Sequence, residues 1–216
     1  MKHKQFFQNK LLCLTRDDPN LCHSRQVEIF IEAGFRFIQL RSKSLPAPEL
    51  FRQAKLAVEI SKSNNCTLII NDFVDLACQV NADGVHLGKT DRPISYVRKM
   101  LKSNKVIGMT LHSLEEARSV VNNCPDYVGV GPYRRSKTKE HLNPILTDQD
   151  YRDIVYQIYP IPAYLIGGLK SNDFSLTKSL GVHGIAICSE LFSGESLSQQ
   201  AKYIYQSSRS LKFVAA

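Results

Sequence analysis

The sequence predicts a single (β/α)8 barrel of the TIM type. Three observations predict it. Short apolar runs alternate with longer amphipathic stretches, and eight such runs can be placed. The runs are nearly continuous in apolar residues, as parallel strands covered on both faces must be. The 216 residues are within the length that one closed barrel uses, so one domain is expected over 1–216. The barrel proper is expected over about 11–208, with short extensions at either end. A doubly wound open sheet is the competing architecture. Against it, no glycine fingerprint follows the first run, where Thr15-Arg16-Asp17-Asp18-Pro19 stands instead.

The strands are expected at Leu11–Thr15, Phe35–Leu40, Thr67–Ile70, Gly84–Leu87, Val106–Thr110, Tyr127–Gly131, Ala163–Gly167 and Gly184–Ile187. The first helix is expected over Ser24–Ala33, with Ser24 as its N-cap, and the second over Ala47–Asn64, where Leu50, Phe51, Ala54, Leu56, Ala57 and Ile60 recur at helical spacing. Shorter helices fit between Asp72 and Val80 and from Ile94 to Leu101. Ser113-Leu114-Glu115-Glu116 has the capping-box form and opens the next helix. Thr147–Ile158, Asn172–Leu180 and Leu197–Ser208 complete the set. Gly34 and Gly181 follow helices, where a left-handed cap is common.

The chain carries 28 Lys+Arg against 20 Asp+Glu, a net charge of +8. A balance of this sign suits nucleic acid, a membrane surface or small polyanions. No basic run has the length of a nucleic-acid arm, and no run reaches transmembrane length, so small anionic ligands are expected rather than either polymer or bilayer. The six cysteines form no CxxC pair and several sit in apolar runs. They are expected as reduced, buried thiols of a cytoplasmic protein.

In this fold the active site lies at the C-terminal ends of the strands, so the polar residues after each run matter most. After the second, Gln39, Arg41 and Lys43 alternate onto one face, offering an amide and two cations to phosphate oxygens. After the third and fourth come Asn71-Asp72 and, past His86, Asp91. Two aspartates at neighbouring strand ends suit one shared Mg2+, completed by phosphate oxygens. The bland alternative is that Asp72 caps a helix and Asp91 opens a turn. His86, inside an apolar run, reads as a satisfied core histidine. Thr110 ends the fifth run and His112 follows. After the sixth come small residues, then Arg134, Arg135, Ser136, Thr138 and Lys139, a basic loop whose hydroxyls and cations suit an anion lid. Gly168 and Ser189 end the seventh and eighth runs, where barrels of this type often bind a phosphate. The mouth thus reads as two anion sites, one metal-assisted for a polyphosphate and one for a monophosphate. No Ser-His-Asp or Cys-His nucleophile set is evident.

Gln39-Leu40-Arg41-x-Lys43, Asn71-Asp72-x-Val74-Asp75-Leu76-Ala77, Ala82-Asp83-Gly84-Val85-His86-Leu87-Gly88, Val128-Gly129-Val130-Gly131-Pro132 and Ile166-Gly167-Gly168 occur in an order that resembles the thiamine phosphate synthases. The resemblance runs from about Leu11 to Ser189. It implies a transferase that joins a hydroxymethylpyrimidine diphosphate to a thiazole phosphate and releases pyrophosphate. It further implies that Gln39, Arg41, Lys43, Asn71, Thr110, Ser136, Thr138 and Lys139 bind the diphosphate, with Lys139, Arg41, Lys43 and Thr110 as the catalytic set. Asp72 and Asp91 would hold Mg2+, and Gly168 and Ser189 the thiazole phosphate. A homodimer is expected from the resemblance alone. The chain departs from the family pattern at Phe73 (usually Arg), Lys89 (usually Gln), Thr110 (usually Ser), Leu111 (usually Thr), Ser136 (usually Thr) and the Arg134-Arg135 pair (usually apolar-Pro). Two alternatives stay open at this point. One is a thiazole tautomerase on the same fold, for which His112 is the acid–base candidate. The other is a non-catalytic binder of thiazole phosphate.

Overall fold

The structure is a computed structural model, and it describes residues 8–101, 103–121, 124–134 and 145–210. Eight parallel strands close into one barrel in sequence order. They are β1 (Leu11–Leu14), β2 (Phe37–Leu40), β3 (Thr67–Asn71), β4 (Gly84–Leu87), β5 (Val106–Leu111), β6 (Tyr127–Val130), β7 (Ala163–Leu165) and β8 (Gly184–Ile187). The seam closes where Leu11, Leu12 and Cys13 of β1 pair with Ile185, Ala186 and Ile187 of β8. Between strands lie α1 (His23–Ala33), α2 (Ala47–Ser63), α3 (Val74–Gln79), α4 (Ile94–Met100), α5 (Leu114–Val120), α6 (Asp148–Ile158) and α7 (Leu176–Leu180), with α8 (Leu197–Ser210) after β8.

The continuous apolar strands have the predicted cause: each is buried on two sides. One face of the strands packs outward on the helices in a large cluster that includes Phe30, Ile38, Leu68, Val85, Ile154 and Ile204. The other face fills the barrel with Leu12, Phe37, Ile69, Val106, Tyr127, Tyr164 and Ala186. Phe37, Tyr127 and Tyr164 meet there in a ring trio with centroids 5.4, 5.6 and 5.7 Å apart. Tilted and edge-on contacts at this spacing suit aromatic quadrupoles. The interior is thus a packed floor, and ligands can be held only above it.

Helix ends follow local chemistry. Ser113 accepts a hydrogen bond from the Glu116 N–H and caps α5, but the Glu116 carboxylate takes the His112 N–H, so the reciprocal half of the expected capping box is not formed. Thr147 and Asp150 form a reciprocal capping box on α6. Gly34 and Gly181 take the expected left-handed conformation at φ 113° and 70°.

Four expectations need correction. The N-cap of α1 is Cys22, while the Ser24 N–H and hydroxyl both donate to Gln53 Oε1, at 3.1 and 2.8 Å, and tie α1 to α2. A buried hydrogen-bond acceptor on the neighbouring helix overrode the local capping preference. The stretch expected as one helix over Asn172–Leu180 is a 3-10 turn (Ser171–Ser175) followed by α7. At its start the Asp173 carboxylate accepts the Lys170 N–H and is held by the Arg134 fork. Of the cysteines, Cys13 and Cys66 are buried as expected, but Cys22, Cys78 and Cys124 are exposed because they fall at helix ends and turns rather than inside strands. Finally, β2 ends at Leu40, so strand alternation does not govern Lys43. No helix among the described residues is long and apolar enough to cross a membrane.

Candidate active site

The strand ends present most of the sequence-predicted residues at one mouth. Gln39 is buried in β2, across from Leu14, and its side chain hydrogen-bonds the Tyr127 hydroxyl. Arg41, the first residue past β2, is half-buried. Its positive charge acts on two groups across the mouth, opposing the burial that raises the Asp72 carboxyl and the half-buried Cys188 thiol. Lys43 is exposed, on a loop whose path is set by Asp17: the Lys43 and Ser44 N–H groups donate to Asp17 Oδ2 at 2.7 and 3.0 Å.

Asp72 sits just past β3 in the left-handed region, at φ 62°, a conformation that Asp tolerates better than most side chains. Its N–H donates to the His86 carbonyl of β4. The N-cap of α3 is Phe73 and no side chain caps it, so the helix-capping reading of Asp72 is not what the structure shows. Dehydration at the mouth and, next, the Asp91 carboxylate raise the Asp72 carboxyl to about 6, opposed by Arg41 and the Asn71 side chain. Asp72 and Asp91 lie within hydrogen-bond reach of each other. Asp91 takes part in a turn, but closes the one before it rather than opening the one after: its Oδ2 accepts the Gly88 N–H at 2.6 Å. Among the described residues no third His, Cys, Asp or Glu joins this pair.

Thr110 and His86 are both buried below the mouth. His86 is the satisfied core histidine expected, with Nδ1 2.9 Å from the Tyr127 hydroxyl and Nε2 2.8 Å from Thr110 Oγ1. His112 is held differently. Its Nδ1 lies 2.6 Å from the Gly131 carbonyl, and its N–H donates to Glu116. Lys89, a departure from the family pattern, is drawn away from the acidic pair by a 2.9 Å ion pair with Glu116. Phe73, another, stands exposed at the mouth.

On the far side, Arg134 is not available as an anion-binding cation. It forks onto Asp173 at 2.5 and 2.7 Å, donates to the Gly168 carbonyl at 3.2 Å, and stacks on Tyr133. Gly168 has φ 66°, and a Cβ there would meet Arg134 Cβ at 2.9 Å, so the position requires glycine on both counts. Ser189 is exposed at the first position of the 3-10 turn after β8 (Ser189–Phe192). Glu190 accepts from the Ser171 N–H and hydroxyl and so joins the loops after β7 and β8. Ser136, Thr138 and Lys139, with Arg135, lie outside the described residues.

Sequence reasoning missed the loop after β1. Thr15, Asp17 and the buried His23 tie it to the loop after β2, and Arg16 packs its guanidinium 4.2 Å over the Phe192 ring near Cys188. The signal is the polar Thr15-Arg16-Asp17-Asp18 run at the first strand end, which lacks a glycine motif but carries a hydroxyl, a cation and two carboxylates.

The mouth therefore sets cations from the β1 and β2 loops beside an acidic pair from β3 and β4, with small residues opposite. That arrangement can hold a divalent cation and a polyphosphate together, and a second anion near Gly168 and Ser189. Comparison with known proteins places the whole chain. Residues 11–191 match the family described as thiamine monophosphate synthase. The thiamine-phosphate synthase of Halalkalibacterium halodurans is 35% identical over 190 residues, covering 87% of this chain and 90% of that protein. That of Prochlorococcus marinus is 33% identical over 186 residues; the match covers 86% of this chain but 53% of that longer protein. Among solved structures, the thiamine phosphate pyrophosphorylase of Pyrococcus furiosus superposes with a TM-score of 0.81 at 28% identity, covering 93% of this chain and 96% of that one.

Proposed function

The chain belongs to the thiamine monophosphate synthase family, and from that premise we propose how its mouth performs the synthase reaction. It is a thiamine-phosphate synthase, a transferase of thiamine biosynthesis that acts on small phosphorylated substrates and releases pyrophosphate. In the proposed reading it joins 4-amino-2-methyl-5-hydroxymethylpyrimidine diphosphate to 4-methyl-5-(2-phosphoethyl)thiazole. The observation that carries the reading is the meeting of Asp72, Asp91 and the Arg41 charge at one point of the mouth.

The acidic pair fits Mg2+. Its donors are hard oxygens on neighbouring strand ends, and the Asp91 carboxylate burdens Asp72 in the way that a shared cation relieves. When bound, Mg2+ supplies positive charge to a diphosphate leaving group. The chain's own residues do the rest. Arg41 and Lys43 neutralise the departing diphosphate, aided by Gln39, Asn71 and Thr110, and by Ser136, Thr138 and Lys139. C–O cleavage leaves a cation that the electron-rich aminopyrimidine stabilises. The thiazole nitrogen, held through its phosphate at Gly168 and Ser189, then donates its lone pair to the exocyclic carbon. That nitrogen carries no proton, so no general base is required. Homodimerisation and a cytoplasmic setting belong to the same proposal.

The test is pyrophosphate release with both substrates, with and without Mg2+, and detection of thiamine phosphate by mass spectrometry. Release should require both substrates and Mg2+. Asp72→Ala and Lys139→Ala should each depress turnover by about a hundredfold or more, the scale of losing one transition-state charge contact. Near-normal turnover in both variants, or no release by the wild-type chain, overturns the assignment.

A further inference from the structure

The two cations assigned above to the diphosphate stand on a loop that is held from the neighbouring strand. Thr15, just past β1, is fully buried, and its Oγ1 accepts the Arg41 N–H at 3.0 Å. Asp17 reaches the same loop with both oxygens. Oδ1 accepts the Ser42 hydroxyl at 2.5 Å, and Oδ2 accepts the Lys43 and Ser44 N–H groups at 2.7 and 3.0 Å. Ser42 Oγ in turn accepts the Leu45 N–H at 3.1 Å. Thus backbone or side-chain groups of every residue from Arg41 to Leu45 are fixed, directly or through Ser42, by two residues of the β1 loop.

One buried side chain joins those two residues. His23, at the start of α1, places Nδ1 2.7 Å from Thr15 Oγ1 and Nε2 3.0 Å from Asp17 Oδ1. Proton placement follows from the partners. Asp17 can only accept, so Nε2 carries the hydrogen. In that tautomer Nδ1 is an acceptor, so the Thr15 hydroxyl, which also accepts the Arg41 N–H, directs its hydrogen to Nδ1. The hydrogen bonds then run in one direction, from the Arg41 N–H through Thr15 and His23 to the Asp17 carboxylate. Chained donors of this kind polarise one another and fix geometry more tightly than separate bonds. The Ser24 link to Gln53 anchors the His23 turn to α2 as well.

We propose that His23 is a positioning residue for the synthase reaction: it joins Thr15 and Asp17 into one bracket that sets the Arg41–Lys43 loop for the diphosphate. The inference rests on the synthase reading, because it needs Arg41 and Lys43 to meet that ligand. No contact between His23 and substrate is involved. A loop misplaced by even about 1 Å is enough to cost catalysis heavily.

The test is calorimetric titration of the full-length chain with pyrophosphate and Mg2+, alongside initial-rate kinetics, for wild type, His23→Leu and Asp17→Asn. Pyrophosphate affinity should fall about tenfold in both variants, and KM for the pyrimidine diphosphate should rise by a similar factor, about one hydrogen-bonded position's worth. KM for the thiazole phosphate should not move. In an Arg41→Ala or Lys43→Ala background the His23→Leu loss should shrink to about threefold or less, since part of what it positions is gone. Should His23→Leu fail to fold, Asp17→Asn and the near-isosteric Thr15→Val carry the same comparison. Wild-type pyrophosphate affinity in the folded variants, or an undiminished loss in both backgrounds, overturns the bracket. If the wild-type chain neither binds nor releases pyrophosphate, the synthase reading itself fails, which is a distinct result.

Discussion

Arg134 joins the loops after β6 and β7 by forking onto Asp173 and reaching the Gly168 carbonyl. The Asp173 side chain is only 8% exposed, so it depends on this partner more than Arg134 does at 45%. Arg134→Ala should therefore destabilise by about 1–2 kcal/mol, less than a fully buried pair would, because solvent screens the arginine end. Its pH dependence has a definite sign. Arg134 and the Lys170 N–H hold the Asp173 carboxyl below its usual value. The stabilisation is present above the unfolded carboxyl pKa of about 4 and is lost as pH falls through the lower folded value. Urea denaturation of wild type and variant should show the full gap at pH 7 and a narrowing gap below about pH 4. A gap that stays constant or widens in acid contradicts the ion-pair account. The same residue scale explains Lys89, whose charge is taken by Glu116 rather than placed at the acidic pair.

The elements owe their stability to two cores separated by one sheet. Helix faces cover the outside of the strands, and the aromatic trio of Phe37, Tyr127 and Tyr164 fills the inside. Phe37 is fully buried and touches both tyrosine rings. Phe37→Ala should cost about 3–5 kcal/mol by lost burial and an unfilled cavity. Phe37→Leu, which keeps most of the volume, should cost clearly less. Equal costs in chemical denaturation would mean that ring packing is not what supports the floor. That floor matters for chemistry because it carries the hydrogen-bonded path from Gln39 through Tyr127 and His86 to Thr110, and so fixes two of the residues assigned to the diphosphate. The short strands, three to six residues each, suit this arrangement: each spans the packed floor and then releases its loop to the mouth.

For the whole molecule, a ligand bound to a mouth built from loops after several strands should stabilise the barrel as a unit. Pyrophosphate with Mg2+ at about a hundred times its dissociation constant should add roughly 2.7 kcal/mol to folding stability. For a domain of this size that is a rise of roughly 5–10 °C in Tm. A chelator should remove most of the rise, and Asp72→Asn should abolish its Mg2+ dependence. An unchanged shift after chelation would remove the cation from the proposal. The net charge of +8 is consistent with attraction of anionic substrates but does not place the site.

The sequence by itself determined the barrel and most of the mouth. Doubly buried strands must be apolar throughout, so β4 and β8 are legible to the residue, and so is the position of Gln39, Arg41, Asp72, Asp91 and Gly168 at or just past the strand ends. Local signals also sufficed where the partner is near in sequence, as at Ser113, Thr147, Gly34 and Gly181. Only the tertiary structure decided the roles whose partners are distant. Ser24 caps nothing because Gln53 reaches it from α2; Arg134 faces Asp173; Asp17 holds a loop 25 residues away through Ser42. The physical reason is common to all three. A polar group's strongest available partner sets its role, and closure of the barrel brings together partners from different strands that no local pattern of residues specifies.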